Sequence, residues 1–191
     1  ELNLKEPFSM VVQHPVTNEF IDVRRQIKET IDAIKYLSET YDHQFIWLWP
    51  NIDAGSDHIA QQLRILRENT HKNLNIRFFK NFTPEIYASL LSKSRTIIGN
   101  SSSGLRESAY LGVPSINIGT RQRLREHASN VKSVDYSSKE IIEAFKYHYE
   151  NNYHYKKSTL FGDGTAGEKI ADALVKCDLN VIKTLNFDVI K

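Results

Sequence analysis

Short apolar runs alternate with amphipathic stretches along nearly the whole chain. Apolar runs that are bounded by polar or turn residues predict strands, over residues 8–13, 44–49, 75–80, 96–99, 114–119 and 130–134. Stretches in which apolar residues recur every three or four positions predict helices, over about residues 22–40, 57–69, 84–92, 138–149 and 166–177. One more helix is expected to begin at the serines after Gly99 and to end at Leu111, and the tail 179–191 is expected to be a short helix.

This alternation predicts an α/β fold with a doubly wound parallel sheet of the Rossmann type. In such sheets ligands bind outside the carboxyl ends of the strands, close to the point where the strand order reverses. Polar or unusual residues follow the predicted strands at that edge: His14, Asn51, Asn81 with Phe82, Ser101 with Ser102, and residues 119–121. The sequence therefore predicts a ligand site along one edge of the sheet.

The residue types at this edge suit a phosphorylated ligand that carries hydroxyl groups. A helix that starts in serines offers free backbone N–H groups and the positive end of its dipole to a phosphate. Arg121 could bind a phosphate through two N–H groups, and Glu107 could accept hydrogen bonds from a ribose. His14 could donate to a phosphate or a leaving group, because the ordinary pKa of histidine is close to neutral pH.

Each of these residues also has a purely structural interpretation. Residues 101–103 could only cap a helix, Arg121 could be a solvated surface arginine, and His14 could simply close a strand. For Asp53, bonds that close its own turn are favoured over a ligand, whereas for Asn51 they are not. A nucleophilic serine on the turn after Gly99, as in hydrolases, is a weak competitor, because no supporting Asp-then-His order follows it.

Composition narrows the class of protein. The chain has 191 residues and a net charge of +2, and no basic run points to nucleic acid. Its single cysteine fits a reducing compartment, and no signal peptide or membrane-length apolar run occurs, so we expect a cytoplasmic protein without membrane contact. The motifs of Walker loops, dinucleotide turns and zinc sites do not occur.

Residues 1–9 resemble a linker from a missing N-terminal domain, and residues 10–178 are expected to form one domain.

The motifs of the chain resemble the hydrolysing UDP-N-acetylglucosamine 2-epimerases. They occur in the order and spacing of that family, as QHPVT at 13–17, PNIDAGS at 50–56, GNSSSGLRE at 99–107, GVPSINIGTRQ at 112–122 and GDGTA at 162–166. The forms GNSSSG and GTRQ are similar to the hydrolysing branch, since the non-hydrolysing branch typically carries an aspartate-serine-glycine-glycine version of the first. The resemblance implies the C-terminal, UDP-binding domain of a two-domain architecture of the glycosyltransferase-B type.

The resemblance also implies a role for each residue of the edge. His14 is implied to be catalytic, because it would face the diphosphate and assist its departure. The residues implied to bind UDP are Asn51, Phe82, Ser101, Ser102, Gly104, Glu107 and Arg121. Among these, the two serines would hold the diphosphate, Glu107 would take the ribose hydroxyls, and the Phe82 backbone would meet the uracil. Asn51 and Arg121 would line the phosphate pocket.

The implied reaction eliminates UDP from UDP-N-acetylglucosamine and then adds water, which yields free N-acetylmannosamine, without a metal or cofactor. A related enzyme of UDP-diacetylbacillosamine is equally compatible. The implied partners are the UDP-sugar, UDP, the N-terminal domain and, in the full-length protein, further copies of the chain. Because the carboxylates that move the sugar proton belong to the N-terminal half, this piece is expected to bind UDP weakly without turnover. A glycosyltransferase donor domain and a non-catalytic interaction module are the alternatives.

Overall fold

The computed structural model describes residues 3–69, 74–151 and 154–177. The strands in this part form one parallel sheet with the order β3-β2-β1-β4-β5-β6. They are β1 (Phe8–Val12), β2 (Gln44–Leu48), β3 (Ile76–Phe79), β4 (Ile97–Gly99), β5 (Ser115–Ile118) and β6 (Val131–Val134). The predicted doubly wound sheet is confirmed, and each strand lies within its predicted range.

Helices cover both faces of the sheet. They are α1 (Val23–Thr40), α2 (Ser56–Asn69), α3 (Pro84–Lys93), α4 (Glu107–Leu111) and α5 (Ser138–Glu150). A further helix, α6 (Ala166–Lys176), occurs later in the chain. The helices α1, α2 and α5 pack together with one face of the sheet, and α3 packs with α4 and the other face. Side chains alternate between the faces, so that Val11 joins the first apolar layer and Met10 the second. The central strands are buried on both faces of the sheet, and for this reason their sequences are continuous apolar runs.

The strand order reverses between β1 and β4. From β1 the chain continues through β2 and β3 on one side, and from β4 it continues through β5 and β6 on the other. The connections therefore diverge at the carboxyl ends of β1 and β4, which opens a crevice there. His14 lies two residues beyond the end of β1, and Asn100 directly follows β4. The fold thus places two of the polar loops at its switch point.

The segment after β4 differs from the expected single helix. A short 3-10 turn covers Ser102–Gly104, and α4 begins only at Glu107. The Ser108 hydroxyl donates to the Gly104 carbonyl oxygen at 2.6 Å, and this bond competes with the regular helical pattern. Because α4 has only five residues, its dipole offers far less to an anion than the long helix that was expected. A second 3-10 segment, Thr17–Asp22, precedes α1 and has no counterpart among the predicted elements.

The described residues form two units, one that extends to Phe161 and one that begins at Gly162. The second contains α6, and in the turn before it the Asp163 carboxylate accepts the Thr165 N–H at 3.0 Å. In the first unit, β1 begins at Phe8, inside the segment expected to be a linker. The predicted tail helix lies outside the described residues. Within the described ranges, no helix combines the length and the apolar character that a membrane crossing needs.

Candidate functional site

Asn100 joins the ends of the two strands that flank the switch point. Its side-chain oxygen accepts the His14 backbone N–H at 2.7 Å, and its side-chain amide donates to the His14 carbonyl oxygen at 2.8 Å. Its own N–H donates to the Val12 carbonyl oxygen at 3.1 Å. The side chain is fully buried, so its donors and acceptors must be satisfied by protein groups. Asn100 therefore fixes the loop after β1 against the loop after β4.

The loop after β5 is attached to the same asparagine. The Asn100 carbonyl oxygen accepts a side-chain N–H from Gln122 at 2.8 Å and one from Arg121 at 3.3 Å. A guanidinium has five N–H donors, so most of those of Arg121 stay available to a ligand. The Asp53 carboxylate lies 3.7 Å from the Arg121 guanidinium and balances part of its charge. The cation is thus held beside the switch point while part of it faces outward.

His14 is neutral at physiological pH in this site. Burial lowers the pKa of His14 to about 4, and the positive charge of Arg121 acts in the same direction, while the Asp53 carboxylate opposes them. The Nδ1 atom of His14 accepts the Asn51 backbone N–H at 3.1 Å, so the proton of the neutral ring sits on Nε2. The imidazole therefore offers one N–H donor and no net charge.

The turn after β2 supports both His14 and Arg121. The Asn51 side-chain amide donates to the Asp53 carboxylate at 2.6 Å, and the same carboxylate faces Arg121. This bond joins two side chains, whereas the sequence analysis favoured turn closure for Asp53 and not for Asn51, so that preference stays a prediction. Asn51 contributes its backbone N–H and its side-chain amide to neighbouring residues, and its side-chain oxygen is buried without a partner in the described part of the chain. That oxygen is an acceptor that a ligand could satisfy.

The serines that follow Asn100 have different surroundings. The Ser101 hydroxyl oxygen accepts the Ser103 N–H at 3.4 Å, which is a capping bond of the kind expected from the structural interpretation. The buried Ser103 hydroxyl contacts Ser101 at 3.2 Å and pairs with Tyr87 from α3. The Ser102 side chain is half-buried and has no hydrogen bond to other described residues. Ser101 and Ser102 thus combine capping with hydroxyls that are open to a ligand.

Gly104 has a packing reason to lack a side chain. A Cβ atom at this position would lie 2.8 Å from the hydroxyl oxygen of buried Ser115 in β5. Close contact between the 3-10 turn and the sheet therefore requires glycine here. This explanation is independent of a nucleotide, so the implied role of Gly104 in UDP binding stays a prediction.

Phe82 and Glu107 lie outside the network around Asn100. The Phe82 ring packs on Phe79 with 4.9 Å between the ring centres, and the Phe82 N–H already donates to the Asn81 side chain at 2.9 Å. A uracil at this backbone would have to replace that bond or use the Phe82 carbonyl oxygen. Glu107 is exposed at the start of α4, and its charge contributes to the raised pKa of Tyr87. The structure thus joins His14 to Asn51 directly and to Arg121 through Asn100, and it leaves Phe82 and Glu107 on the α3 side.

A second polar cluster at the same edge escaped the sequence analysis. The Glu19 carboxylate accepts hydrogen bonds from Thr120, from the Gln26 side chain at 2.8 Å and from the Tyr136 hydroxyl at 3.3 Å. These partners come from the loop after β5, from α1 and from the loop after β6. Their separation in sequence, up to 117 positions, left no local pattern to find. Glu19 therefore braces the loop that carries Arg121.

An open cleft of about 670 Å³ lies beside Arg121, within the size range of small-molecule sites. Its lining combines apolar and polar surface and comprises Pro15, Val16, Thr17, Asn18, Glu19, Asp53, Thr120, Arg121 and Arg123. Hydroxyls, carboxylates and guanidinium groups in one cleft are suited to a ligand with both hydroxyl and anionic groups. Among residues 3–69, 74–151 and 154–177, no group of three histidine, cysteine or acidic side chains is arranged to hold a metal ion.

The fold and the site define a Rossmann-type ligand-binding domain with a polar crevice at its switch point. The family model described as UDP-N-acetylglucosamine 2-epimerase matches residues 1–175, and the chain belongs to that family.

Individual proteins of known name are similar to the chain over most of its length. A polysialic acid biosynthesis protein P7 of Escherichia coli is 34% identical over 140 residues, which are 73% of this chain and 34% of that protein. A hydrolysing UDP-N,N'-diacetylbacillosamine 2-epimerase of Legionella pneumophila is 29% identical over 160 residues, 84% of this chain and 40% of the relative. The crystal structure of a UDP-GlcNAc 2-epimerase from Neisseria meningitidis has the same fold, with a TM-score of 0.68 at 18% identity, and the match covers 92% of this chain and 46% of that one. The chain thus spans less than half the length of these proteins.

Proposed function

We propose that the crevice at the switch point binds the UDP group of a UDP-amino sugar, and that the full-length protein is a hydrolysing UDP-N-acetylglucosamine 2-epimerase. One observation carries this proposal. Asn100 draws His14 and Arg121 to one place, directly before Ser101 and Ser102. The crevice thus combines a guanidinium, a neutral N–H donor and two hydroxyls. All of these groups can donate hydrogen bonds to the oxygens of a diphosphate.

The chemistry of UDP departure fits the charge state of His14. In the elimination, the bond between C1 of the sugar and the diphosphate oxygen breaks while a base removes the proton on C2. Negative charge then develops on the departing oxygen, where Arg121 and the Nε2–H group of His14 stabilise it. Water afterwards adds to the unsaturated sugar, which gives N-acetylmannosamine. The base for the C2 proton comes from the N-terminal half that family resemblance implies, so this chain alone binds UDP and does not turn over.

The hydrolysing type is supported by the motifs GNSSSG and GTRQ and by the name of the Legionella relative. That relative's name specifies a diacetylbacillosamine sugar, so UDP-diacetylbacillosamine is the second candidate substrate. The implied two-domain architecture is compatible with the share of each relative that the chain covers.

The first test is nucleotide binding by the chain itself. UDP is expected to bind roughly tenfold more tightly than UMP, because charge-assisted hydrogen bonds to the second phosphate contribute about 1.5–3 kcal/mol. ATP, which lacks the uracil, is expected to bind more weakly than UDP. Arg121→Ala should reduce UDP affinity by about tenfold and bring it close to that of UMP. Calorimetric titration measures these affinities.

The matched control is Arg25→Ala. Arg25 is a surface arginine of α1 whose recorded ion pair is with Asp22, at 3.7 Å. This variant should bind UDP as the unchanged chain does. Equal affinity for all three nucleotides, or loss of affinity in both arginine variants, would contradict the proposed site.

The second test uses the full-length protein with UDP-N-acetylglucosamine and with UDP-diacetylbacillosamine, each without an acceptor. Release of the free 2-epimerised sugar together with UDP, detected by chromatography, is the expected result. A strict requirement for an acceptor would instead support a glycosyltransferase. The sugar nucleotide that is consumed faster identifies the substrate.

A further inference from the structure

A chain of hydroxyl groups leads from α3 to the crevice. The Tyr87 hydroxyl is hydrogen-bonded to the Ser103 hydroxyl, which lies 3.2 Å from the Ser101 hydroxyl. Ser103 is buried, Tyr87 is half-buried against the apolar layer of α3, and Ser101 is half-buried beside the crevice. None of the roles described above for the site uses Tyr87.

The direction of the hydrogen bonds in this chain follows from the proton count. A serine hydroxyl has one proton and two lone pairs. The phenol is a better donor than an aliphatic hydroxyl, because its oxygen shares its lone pairs with the ring, so Tyr87 donates to Ser103. Burial raises the pKa of Tyr87, which keeps this proton in place. The Ser103 proton is then directed to the remaining polar neighbour, Ser101.

The Ser101 oxygen consequently accepts two hydrogen bonds. One comes from the Ser103 hydroxyl and the other from the Ser103 backbone N–H at 3.4 Å. Both lone pairs of the Ser101 oxygen then accept hydrogen bonds from Ser103. The Ser101 hydroxyl proton is therefore left to donate to a group other than Ser103. Ser101 is half-buried and directly follows Asn100, which joins His14 and Arg121 at the crevice.

We propose that Tyr87 is a positioning residue that acts through Ser103 to turn the Ser101 hydroxyl into a fixed donor for a phosphate oxygen. This inference rests on the proposed function, because it takes the diphosphate as the ligand. Without the phenol, Ser103 can accept from Ser101 instead, and the Ser101 proton then has two orientations. Ligand binding must then select one of these two orientations, which makes the binding free energy less favourable. The loss concerns the phosphates and leaves contacts to the nucleoside unchanged.

The experiment compares UDP with uridine in Tyr87→Phe, with both affinities measured by chemical-shift titration. UDP affinity is expected to fall by about three- to tenfold, which is the range for one neutral hydrogen bond, while uridine affinity stays the same. Ser103→Ala interrupts the chain at its middle and is expected to have the same selective effect. The control is Tyr110→Phe, which removes the hydroxyl of an exposed tyrosine on α4 and should change neither affinity.

A double-mutant cycle with Ser101→Ala separates positioning from general damage to the fold. If Tyr87 acts through Ser101, Tyr87→Phe has no further effect on UDP affinity once the Ser101 hydroxyl is absent. Independent effects of the two substitutions, equal losses for uridine and UDP, or an unchanged UDP affinity in Tyr87→Phe would overturn the inference. Failure of the unchanged chain to bind UDP would overturn the proposed function as well, so the two failures are distinguishable.

Discussion

His14 is held in one tautomer and one charge state by its neighbours. The Asn51 N–H occupies Nδ1, Asn100 fixes both backbone groups of the residue, and Arg121 disfavours a second positive charge. A cationic histidine would bind a diphosphate more strongly in the ground state. In the proposed reaction, the neutral ring would donate to the departing oxygen as charge builds up there, and only stabilisation that is stronger in the transition state than in the ground state accelerates a reaction.

Ligand binding should shift the titration of His14. Its pKa is about 4 in the free chain, and a bound diphosphate places negative charge near the ring, so saturating UDP is expected to raise this pKa. Arg121→Ala should also raise it in the free chain, because a positive charge is removed. NMR titration of the histidine ring signals measures both shifts.

His43 provides the internal reference for this measurement. Burial lowers its pKa to about 4 as well, but its Nε2 atom is bonded to Ser9 inside the sheet at 2.8 Å, away from the crevice. Its titration should not respond to UDP. Identical behaviour of the two histidines on addition of UDP would speak against a diphosphate near His14.

Regular elements were predictable because their signals are local. Thr83 caps α3 by accepting the Ile86 N–H at 3.5 Å, and Ser137 caps α5 by accepting the Glu140 N–H at 3.4 Å, as the spacing of these residues indicates. The Glu140 carboxylate accepts the Asp135 N–H at 2.9 Å, a bond to the residue two positions before the cap. The single helix expected after Gly99 is instead a 3-10 turn over Ser102–Gly104 followed by α4 from Glu107, a division that helical periodicity does not reveal.

The contact between the 3-10 turn and β5 predicts the effect of Gly104→Ala. The added methyl would meet the Ser115 hydroxyl at 2.8 Å in a buried interface, so the free energy of unfolding should fall by about 1 kcal/mol. Ser115→Ala in the same chain removes the obstructing oxygen and should restore most of the loss. Urea denaturation measures these differences.

Gly167→Ala is the control for this substitution. Gly167 lies in α6, and no described atom comes within 4 Å of the added carbon. Alanine is the better helix former, so this variant should not be less stable than the unchanged chain. Equal destabilisation by the two substitutions would contradict the contact with Ser115 as the specific cause, and an unchanged stability of Gly104→Ala would show that the turn tolerates the methyl.

Three histidines couple the stability of the whole molecule to pH. Burial lowers the pKa of His14, His43 and His148 to about 4 each, with nearby cations acting in the same direction. In the unfolded chain they regain their ordinary pKa of about 6.5. Between these values the unfolded state binds more protons than the folded one, so stability falls as the pH falls from 6.5 towards 4.

The free energy of unfolding should therefore decrease by about 2 kcal/mol per buried histidine between pH 7 and pH 5. Urea denaturation at a series of pH values measures the slope. His43→Gln removes one titrating ring and should reduce the slope by that histidine's share, even if the variant is less stable at every pH. A slope that is flat in the unchanged chain, or identical in the variant, would contradict this account.

The position of the site was predictable, and its internal connections were not. The rule for parallel sheets locates His14, Asn51, Ser101 and Arg121 at one edge from the strand pattern alone. Asn100 bonds to a backbone 86 positions away, and Glu19 bonds to Thr120 and Tyr136. These bonds could not be predicted, because the local sequence does not indicate which distant residue will be the partner. The roles of the predicted residues towards UDP stay predictions until binding is measured.

The bridge between Asn100 and His14 has a consequence for the order of events during synthesis. The loop that follows the first strand meets Asn51 once the second strand has been made, but its bonds to Asn100 form only after the fourth strand, and the arginine arrives more than twenty positions later still. If the proposed function is correct, a nascent polypeptide that ends after β3 lacks Arg121 and both serines and is not expected to bind UDP. Nucleotide is then expected to stabilise only a domain in which both halves of the sheet are present.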